Sequence, residues 1–326
     1  MSKKILVRLL ATVFLATVAV AHAQPAKKVP RIGYLSLASG PGWIEEEFLQ
    51  GLRDLGYIDG QSIIIEYRWA AGKTDRLPAL AEELVRLKVD LIAVRATPVV
   101  QAAKNATTSI PIVMLIAADP VRSGFVASLA QPGGNITGMS SIMPELAGKR
   151  FELLKEVLPK LSRVAFLAYG PDPAHKLFVK DAEDAARQFK MRFQPLIIGA
   201  PEGIEGAFSA MTKERAGALI VQPLFVTTLG QGRRIAQLAV KNRLPTISDG
   251  IPFADEGGLM LYGPDQKPMY RRAAVHVDKI LKGTKPADIP VEQPMKFDFV
   301  INLKTAKEIG VTFPDIILFK ANRVIQ

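Results

Sequence analysis

The chain contains no cysteine. Disulfides, thiol nucleophiles, cysteine-ligated zinc and iron–sulfur clusters are therefore excluded. Histidine is nearly as scarce, with three in 326 residues, which leaves little imidazole for metal binding or acid–base chemistry. Acidic residues are in deficit, with 31 Asp and Glu against 42 Lys and Arg and a formal net charge of +11. No apolar run approaches the roughly 20 residues that a bilayer-spanning helix requires. The common catalytic signatures are missing as well. There is no G-x-S-x-G elbow, no P-loop, no H-E-x-x-H pair and no G-x-G-x-x-G after the first strand. No cofactor site and no metal site are expected.

What remains is an ordinary globular composition, 48% hydrophobic and 22% charged, in a length that suits two domains. The beginning stands apart. Lys3, Lys4 and Arg8 precede an apolar run of 12 residues from Leu9 to Val20, followed by Ala21-His22-Ala23. A basic start, a short apolar middle and an A-x-A end form the pattern of a secretory signal peptide over residues 1–23. Cleavage near Ala23 would leave an exported, periplasmic chain from Gln24. Losing three basic residues and no acidic one lowers the net charge to +8. The remaining cations are scattered, as at Arg187, Lys190 and Arg192, with no aromatic stripe between them. They read as solvated helix faces, and no nucleic-acid partner is expected.

Beyond the leader, short apolar strands alternate with segments of helical period. Strands are expected at 32–37, 63–67, 89–94 and 110–117, with helices built on Trp43, Phe48, Leu52 and Leu55, on Leu77 to Leu87, on 99–106 and on 124–130. Gln131-Pro-Gly-Gly134 breaks the pattern. The rhythm then restarts: helix stripes on Phe151, Leu154 and Leu158, on Phe178 to Phe189, on 204–211 and on 235–239 alternate with strands at 164–168, 193–198, 218–221 and 245–247. Continuous apolar strands such as 112–116 belong to sheets covered on both faces. Two blocks of this kind predict an α/β chain with two doubly wound, Rossmann-like domains. The tail adds strands at 259–262 and 298–303, a helix over 270–281, a short helix at 305–309 and a last strand at 316–320. It is too small for a third domain, so it must return to complete the first two.

Such sheets bind ligands at the carboxyl ends of their strands. The residues expected there are Ser36, Ser39, Gly40 and Trp43 after the first strand, Arg95, Ala96 and Thr97, then Ala117 and Asp119. In the second block they are Tyr169, Asp172, Gln222 and Asp249. This mixture suits a small polar solute with an apolar part. Trp43 walls a pocket or staples its helix to the core. Arg95 interrupts an apolar strand end, where it either grips a ligand carboxylate or makes a rim ion pair. Asp119 binds a ligand ammonium or caps the next helix. His175 and His276 fall in helices and read as surface or packed residues.

Several segments carry a family resemblance: Arg31-Ile-Gly-Tyr34, Phe48-Leu-Gln-Gly-Leu-Arg-Asp-Leu-Gly-Tyr57, Ile65-Glu-Tyr-Arg-Trp69, Leu129-Ala-Gln-Pro-Gly-Gly-Asn-Ile-Thr-Gly138, Gly257-Gly-Leu-Met-Leu-Tyr-Gly263 and Pro286-Ala-Asp-Ile-Pro-Val-Glu-Gln-Pro294. With these the chain resembles the substrate-binding proteins of ABC transporters of the periplasmic-binding protein type I fold. More narrowly, it is similar to the family whose understood members bind tryptophan or related amino acids. The resemblance implies two lobes joined by three hinge crossovers. Lobe 1 would hold 29–138 plus 257–287, and lobe 2 would hold 141–250 plus 294–326. The solute would sit between them, contacted by the strand-end residues named above. Two residues depart from the family pattern, which usually carries small residues in place of Arg95 and glycine near Arg122.

The implied function is a periplasmic receptor of an ABC importer. It would close on a small carboxylate-bearing solute, an amino acid or organic acid, and deliver it to a membrane permease and its ATPase, acting as a monomer rather than an enzyme. A receptor that serves a membrane sensor is the alternative. A secreted carboxylate-dependent hydrolase, with Asp119 and Asp249 as its acids, is the remaining one.

Overall fold

The computed structural model describes residues 29–250 and 252–326. The leader expected at 1–23 lies outside the described residues. Among those described, no helix is long and apolar enough to cross a membrane.

The chain opens with a βα series: β1 (Arg31–Ser36), α1 (Trp43–Asp54), β2 (Ile64–Trp69), α2 (Leu77–Arg86), β3 (Leu91–Arg95), α3 (Thr97–Ala106), β4 (Ile112–Ala117) and β5 (Ile136–Ser140). These strands form one parallel sheet in the order β2-β1-β3-β4-β5. Ile32 and Tyr34 face one layer, with Phe48 and Leu52 of α1, while Leu35 and Leu37 face the other, with Leu80 and Leu84 of α2 and Val99 of α3. Burial on both faces is why these strands read as unbroken apolar runs.

The second series is α4 (Ala147–Val157), β6 (Arg163–Tyr169), α5 (His175–Gln188), β7 (Arg192–Ile198), α6 (Ile204–Lys213), β8 (Ala218–Val221), α7 (Pro223–Thr227), α8 (Gly232–Lys241) and β9 (Thr246–Ser248). The tail supplies β10 (Met260–Pro264), α9 (Gln266–Leu281), β11 (Phe297–Asn302), α10 (Leu303–Ile309), α11 (Asp315–Lys320) and β12 (Arg323–Ile325). The second sheet has the order β12-β11-β10-β9-β8-β6-β7 and is parallel except where β11 runs antiparallel to β10. One apolar cluster runs through both lobes, from Phe48 and Tyr270 to Phe151 and Phe166.

The chain passes between lobes three times: at 141–146, at Asp265 and at 293–296. The crossings lie side by side. Ser140 N–H donates to the Glu292 carbonyl (2.8 Å), Glu292 N–H to the Gly138 carbonyl (2.9 Å) and Asp265 N–H to the Lys296 carbonyl (3.0 Å).

Three expectations are corrected. The strand of the 257–287 segment belongs to the second sheet: Met260 and Leu261 pair with Ile247 and Ser248 of β9, so only α9 returns to lobe 1, where it packs on α1. No helix forms at 124–130. The Asp119 carboxylate instead accepts from the Val121 and Arg122 amides at 3.1 and 2.9 Å, and Gly124 turns the chain at φ +70°, a conformation that ends helical propagation. Residues 316–320 are helical, not extended, because Asp315 opens a turn behind Pro314 that buries Ile317 and leaves Ile316 and Phe319 outside. The final strand lies further on, at β12.

Close approach to a backbone carbonyl requires glycine at positions 51 and 138. A Cβ on Gly51 would stand 2.4 Å from the Arg271 carbonyl, where α1 meets α9. A Cβ on Gly138, at φ +132°, would stand 2.1 Å from the Met114 carbonyl between β4 and β5.

Candidate functional site

The strand ends of the two sheets face each other across a cleft, and the cleft is closed. A cavity of about 50 Å³ remains, lined from lobe 1 by Arg95, Ala96, Thr97, Ile116, Ala117, Ala118, Gln266 and Tyr270. Asp172, Phe178, Pro223, Leu224, Thr227 and Thr228 line it from lobe 2, and Ser141 and Met143 from the first crossing.

Arg95 reaches this space because of its backbone. The register of β3 on β4 shifts between Val94 and Arg95, and a bulge of this kind re-aims the side chain that follows it. Ala96 then turns at φ +74°, a left-handed conformation that costs a non-glycine residue strain and occurs often at functional sites. The Arg95 guanidinium is buried and donates from Nη1 to the Thr227 carbonyl of lobe 2 at 3.1 Å. Burial opposes its charge, while Tyr270, Tyr34 and Glu45 favour it, and the balance raises its pKa. Burial also pushes the Tyr270 phenol up to about 12, against the pull of Arg95.

Asp172 is the opposing group. Its Oδ1 accepts from the Ala174 amide at 3.0 Å and its Oδ2 from Gln222 Nε2 at 2.6 Å. Burial pushes this carboxyl up to about 7, although both hydrogen bonds pull the other way. Gln222 is held in turn, its Oε1 accepting from the Tyr169 amide at 2.7 Å.

Of the sequence-predicted residues, the structure brings Arg95, Ala96, Thr97, Ala117 and Asp172 to one cavity. The others stand behind it or elsewhere. Trp43 packs edge-on against Tyr270, ring centroids 5.6 Å apart, and so supports the wall from outside. Tyr169 packs on Phe225, and Gln222 positions Asp172. Asp249 makes a buried ion pair with Arg150 at 2.5 Å, with Arg150 Nε also on the Tyr262 carbonyl; burial pushes Asp249 up to about 6 despite that arginine. Asp119 pairs with Arg122 Nε at 2.5 Å. Ser36 is buried and its Oγ accepts from the Ala38 amide. Ser39 and Gly40 follow it in a bend, with Ser39 exposed. The two carboxylates considered as hydrolytic acids, Asp119 and Asp249, are each taken by an arginine, and neither lines the cavity.

Sequence reasoning missed Gln266 and Tyr270, which sit on α9, and Thr227, which ends α7. Their signal was weak. Gln266 and Tyr270 lie in the first turns of the helix that follows the Asp265 crossing, in the short tail, and α7 is a single turn opened by Pro223. Among the described residues, no cluster of His, Asp and Glu with the makings of a metal site occurs.

Two α/β lobes built on parallel sheets, three adjacent crossings and a small cavity between strand ends define a type I periplasmic-binding protein. The chain belongs to the ABC transporter substrate-binding protein family, whose model matches residues 35–325. It is similar to a tyrosine-binding protein of Clostridioides difficile strain R20291, at 28% identity over 88% of this chain and 82% of that one. Among solved structures it resembles an ABC domain in complex with L-Trp from Streptococcus pneumonia, at 27% identity and TM-score 0.84, covering 91% of this chain and 99% of that one. The ligand-free, open structure of a substrate-binding protein with adhesive properties from Clostridium difficile shares the fold, with TM-score 0.64 and 24% identity over 91% of this chain and 99% of that one.

Proposed function

We propose that this protein is the periplasmic receptor of an ABC importer, closing its lobes on a small carboxylate-bearing solute, an amino acid or organic acid, and delivering it to a membrane permease. One observation carries the reading: Arg95 of lobe 1 and Asp172 of lobe 2 line the same buried cavity at the interlobe cleft. Arginine presents a fork of donors matched to a carboxylate, and a cation held away from water by both lobes gains from an anionic partner. A carboxyl of raised pKa beside it can accept an ammonium by ionising. Hinge closure around a ligand is the motion such crossings allow. The basic, apolar and A-x-A segments of residues 1–23 support export, and the amino acids named for two relatives support the ligand class.

The test is a thermal-shift screen of the chain from Gln24 onward against amino acids, hydroxy acids, dicarboxylates, sugars and nucleosides. Ligand at 100 times its dissociation constant adds about 2.7 kcal/mol of stability. Selective stabilisation by carboxylates supports the reading. A selective response to neutral sugars or nucleosides instead would refute it.

A further inference from the structure

We propose that Arg95 sets the size of the solute as well as its charge, so that the cleft takes a carboxylate with only a few further heavy atoms and excludes aromatic amino acids. This rests on the receptor reading above. The cavity measures about 50 Å³. A cavity large enough for one water has roughly 10–15 Å³, so this space takes more than a water yet remains small. Pockets for drug-sized molecules run to about 300–1,000 Å³.

Arg95 is what fills the rest. The bulge at Val94/Arg95 and the left-handed Ala96 hold the side chain inward, and its Nη1 already spans the cleft to Thr227. The guanidinium cannot leave cheaply, because two backbone irregularities in its own strand end aim it there.

The polar groups left over point to the same chemistry. Arg95 Nε and Gln266 Oε1 are buried and have no hydrogen-bond partner among the described residues, and both residues line the cavity. One is a donor in want of an acceptor, the other an acceptor in want of a donor. An α-amino or α-hydroxy acid supplies both within a few atoms: a carboxylate oxygen for the arginine and an N–H or O–H for the glutamine. The other partners of the guanidinium are the Thr227 carbonyl and the Tyr270 hydroxyl. The nearby buried carboxylate of Glu45 is committed to the Tyr34 hydroxyl at 2.6 Å and the Gly42 amide at 2.8 Å. One side of the wall, Met143, Phe178, Leu224 and Tyr270, is apolar or aromatic and fits a short carbon chain, while Asp172 offers a second polar group.

The experiment is isothermal titration calorimetry with glycine, L-alanine, L-lactate, L-tyrosine and L-tryptophan on three forms of the chain from Gln24: unaltered, Arg95→Ala and Arg95→Met. Circular dichroism establishes that each variant folds. The unaltered protein is expected to bind one or more of the small acids and to bind the aromatic pair about 100-fold more weakly. Arg95→Ala is expected to lose about 30-fold or more in small-acid affinity and to gain aromatic binding. Arg95→Met keeps the volume without the charge, so it loses the small acids and still rejects the aromatic pair. Tight binding of L-tyrosine or L-tryptophan by the unaltered protein overturns the size proposal and leaves the receptor reading standing. So does an Arg95→Ala variant with unchanged preferences. Silence of all three folded forms across the panel counts against both.

Discussion

Arg122 of lobe 1 and Asp181 on α5 of lobe 2 form a two-pronged ion pair across the mouth of the cleft, with Nη1 on Oδ1 at 2.8 Å and Nη2 on Oδ2 at 2.6 Å. Asp119 fixes the arginine from behind through its Nε, and these contacts raise the Arg122 pKa. Together with Arg95 on the Thr227 carbonyl, the pair ties the lobes in the closed state at a point outside the cavity.

Asp181→Asn should therefore favour opening without touching the cavity wall. Arg122 keeps 40% and Asp181 17% of its side-chain surface exposed, so the pair is partly screened and worth about 0.5–1 kcal/mol. The expected result is a larger radius of gyration by small-angle X-ray scattering without ligand, and a roughly two- to five-fold loss of ligand affinity. Raising the salt concentration should erase the difference between variant and parent. Identical scattering at low salt would show that the pair does not hold the lobes.

Asp172 makes stability depend on pH in a definite direction. Its folded pKa of about 7 lies above the ordinary 3.8, so between those values the folded chain holds a proton that the unfolded chain has released. Stability from this group is full below about pH 4 and declines as pH rises towards 7. Asp249, at about 6 in the folded state, adds a slope of the same sign. Melting temperatures of Asp172→Asn and the parent between pH 4 and 8 isolate the first contribution. The variant should gain on the parent as pH rises, by an amount of order 2–4 kcal/mol at most. Parallel curves would place the carboxyl in a wetter setting.

Arg150→Ala would leave Asp249 as a buried carboxylate without its cation, and Asp249 Oδ1 already lacks a partner among the described residues. The pair is almost fully enclosed, with side-chain exposures of 3% and 1%. Breaking such a pair from one side costs about 3–5 kcal/mol. Urea unfolding near neutral pH measures it, and a loss below about 1 kcal/mol would contradict an enclosed ionic pair.

Gly138→Ala places a methyl group 2.1 Å from the Met114 carbonyl at a positive φ. Separation of β4 from β5 should follow, with a loss of about 2–4 kcal/mol in urea unfolding. Because β5 leads into the first crossing and pairs with the third through Glu292, ligand affinity should fall with it. Stability within about 0.5 kcal/mol of the parent would mean that the sheet edge yields freely.

The amino-acid sequence by itself determined the local alternation. Apolar runs such as 112–116, rich in β-branched residues, read as strands covered on both faces, and Leu77, Leu80 and Leu84 mark a helix face, because side-chain period is a property of neighbours along the chain. It also placed Arg95 and Asp172 at strand ends, which is where open α/β sheets expose polar groups. Where short apolar runs lacked a period, as at 316–320, local pattern could not tell helix from strand. The tertiary structure decided the rest. Whether β10 joins one sheet or the other depends on hydrogen bonds to β9 and β11, residues near in space but not dictated by the order of its own side chains. Whether Asp119, Asp249 or Asp172 faces the cavity depends on which arginine or amide reaches each carboxylate first across the fold. The size of the cavity itself belongs to this second kind. It follows from one bulged residue in lobe 1 meeting one carbonyl in lobe 2, a distance that no spacing in the sequence encodes.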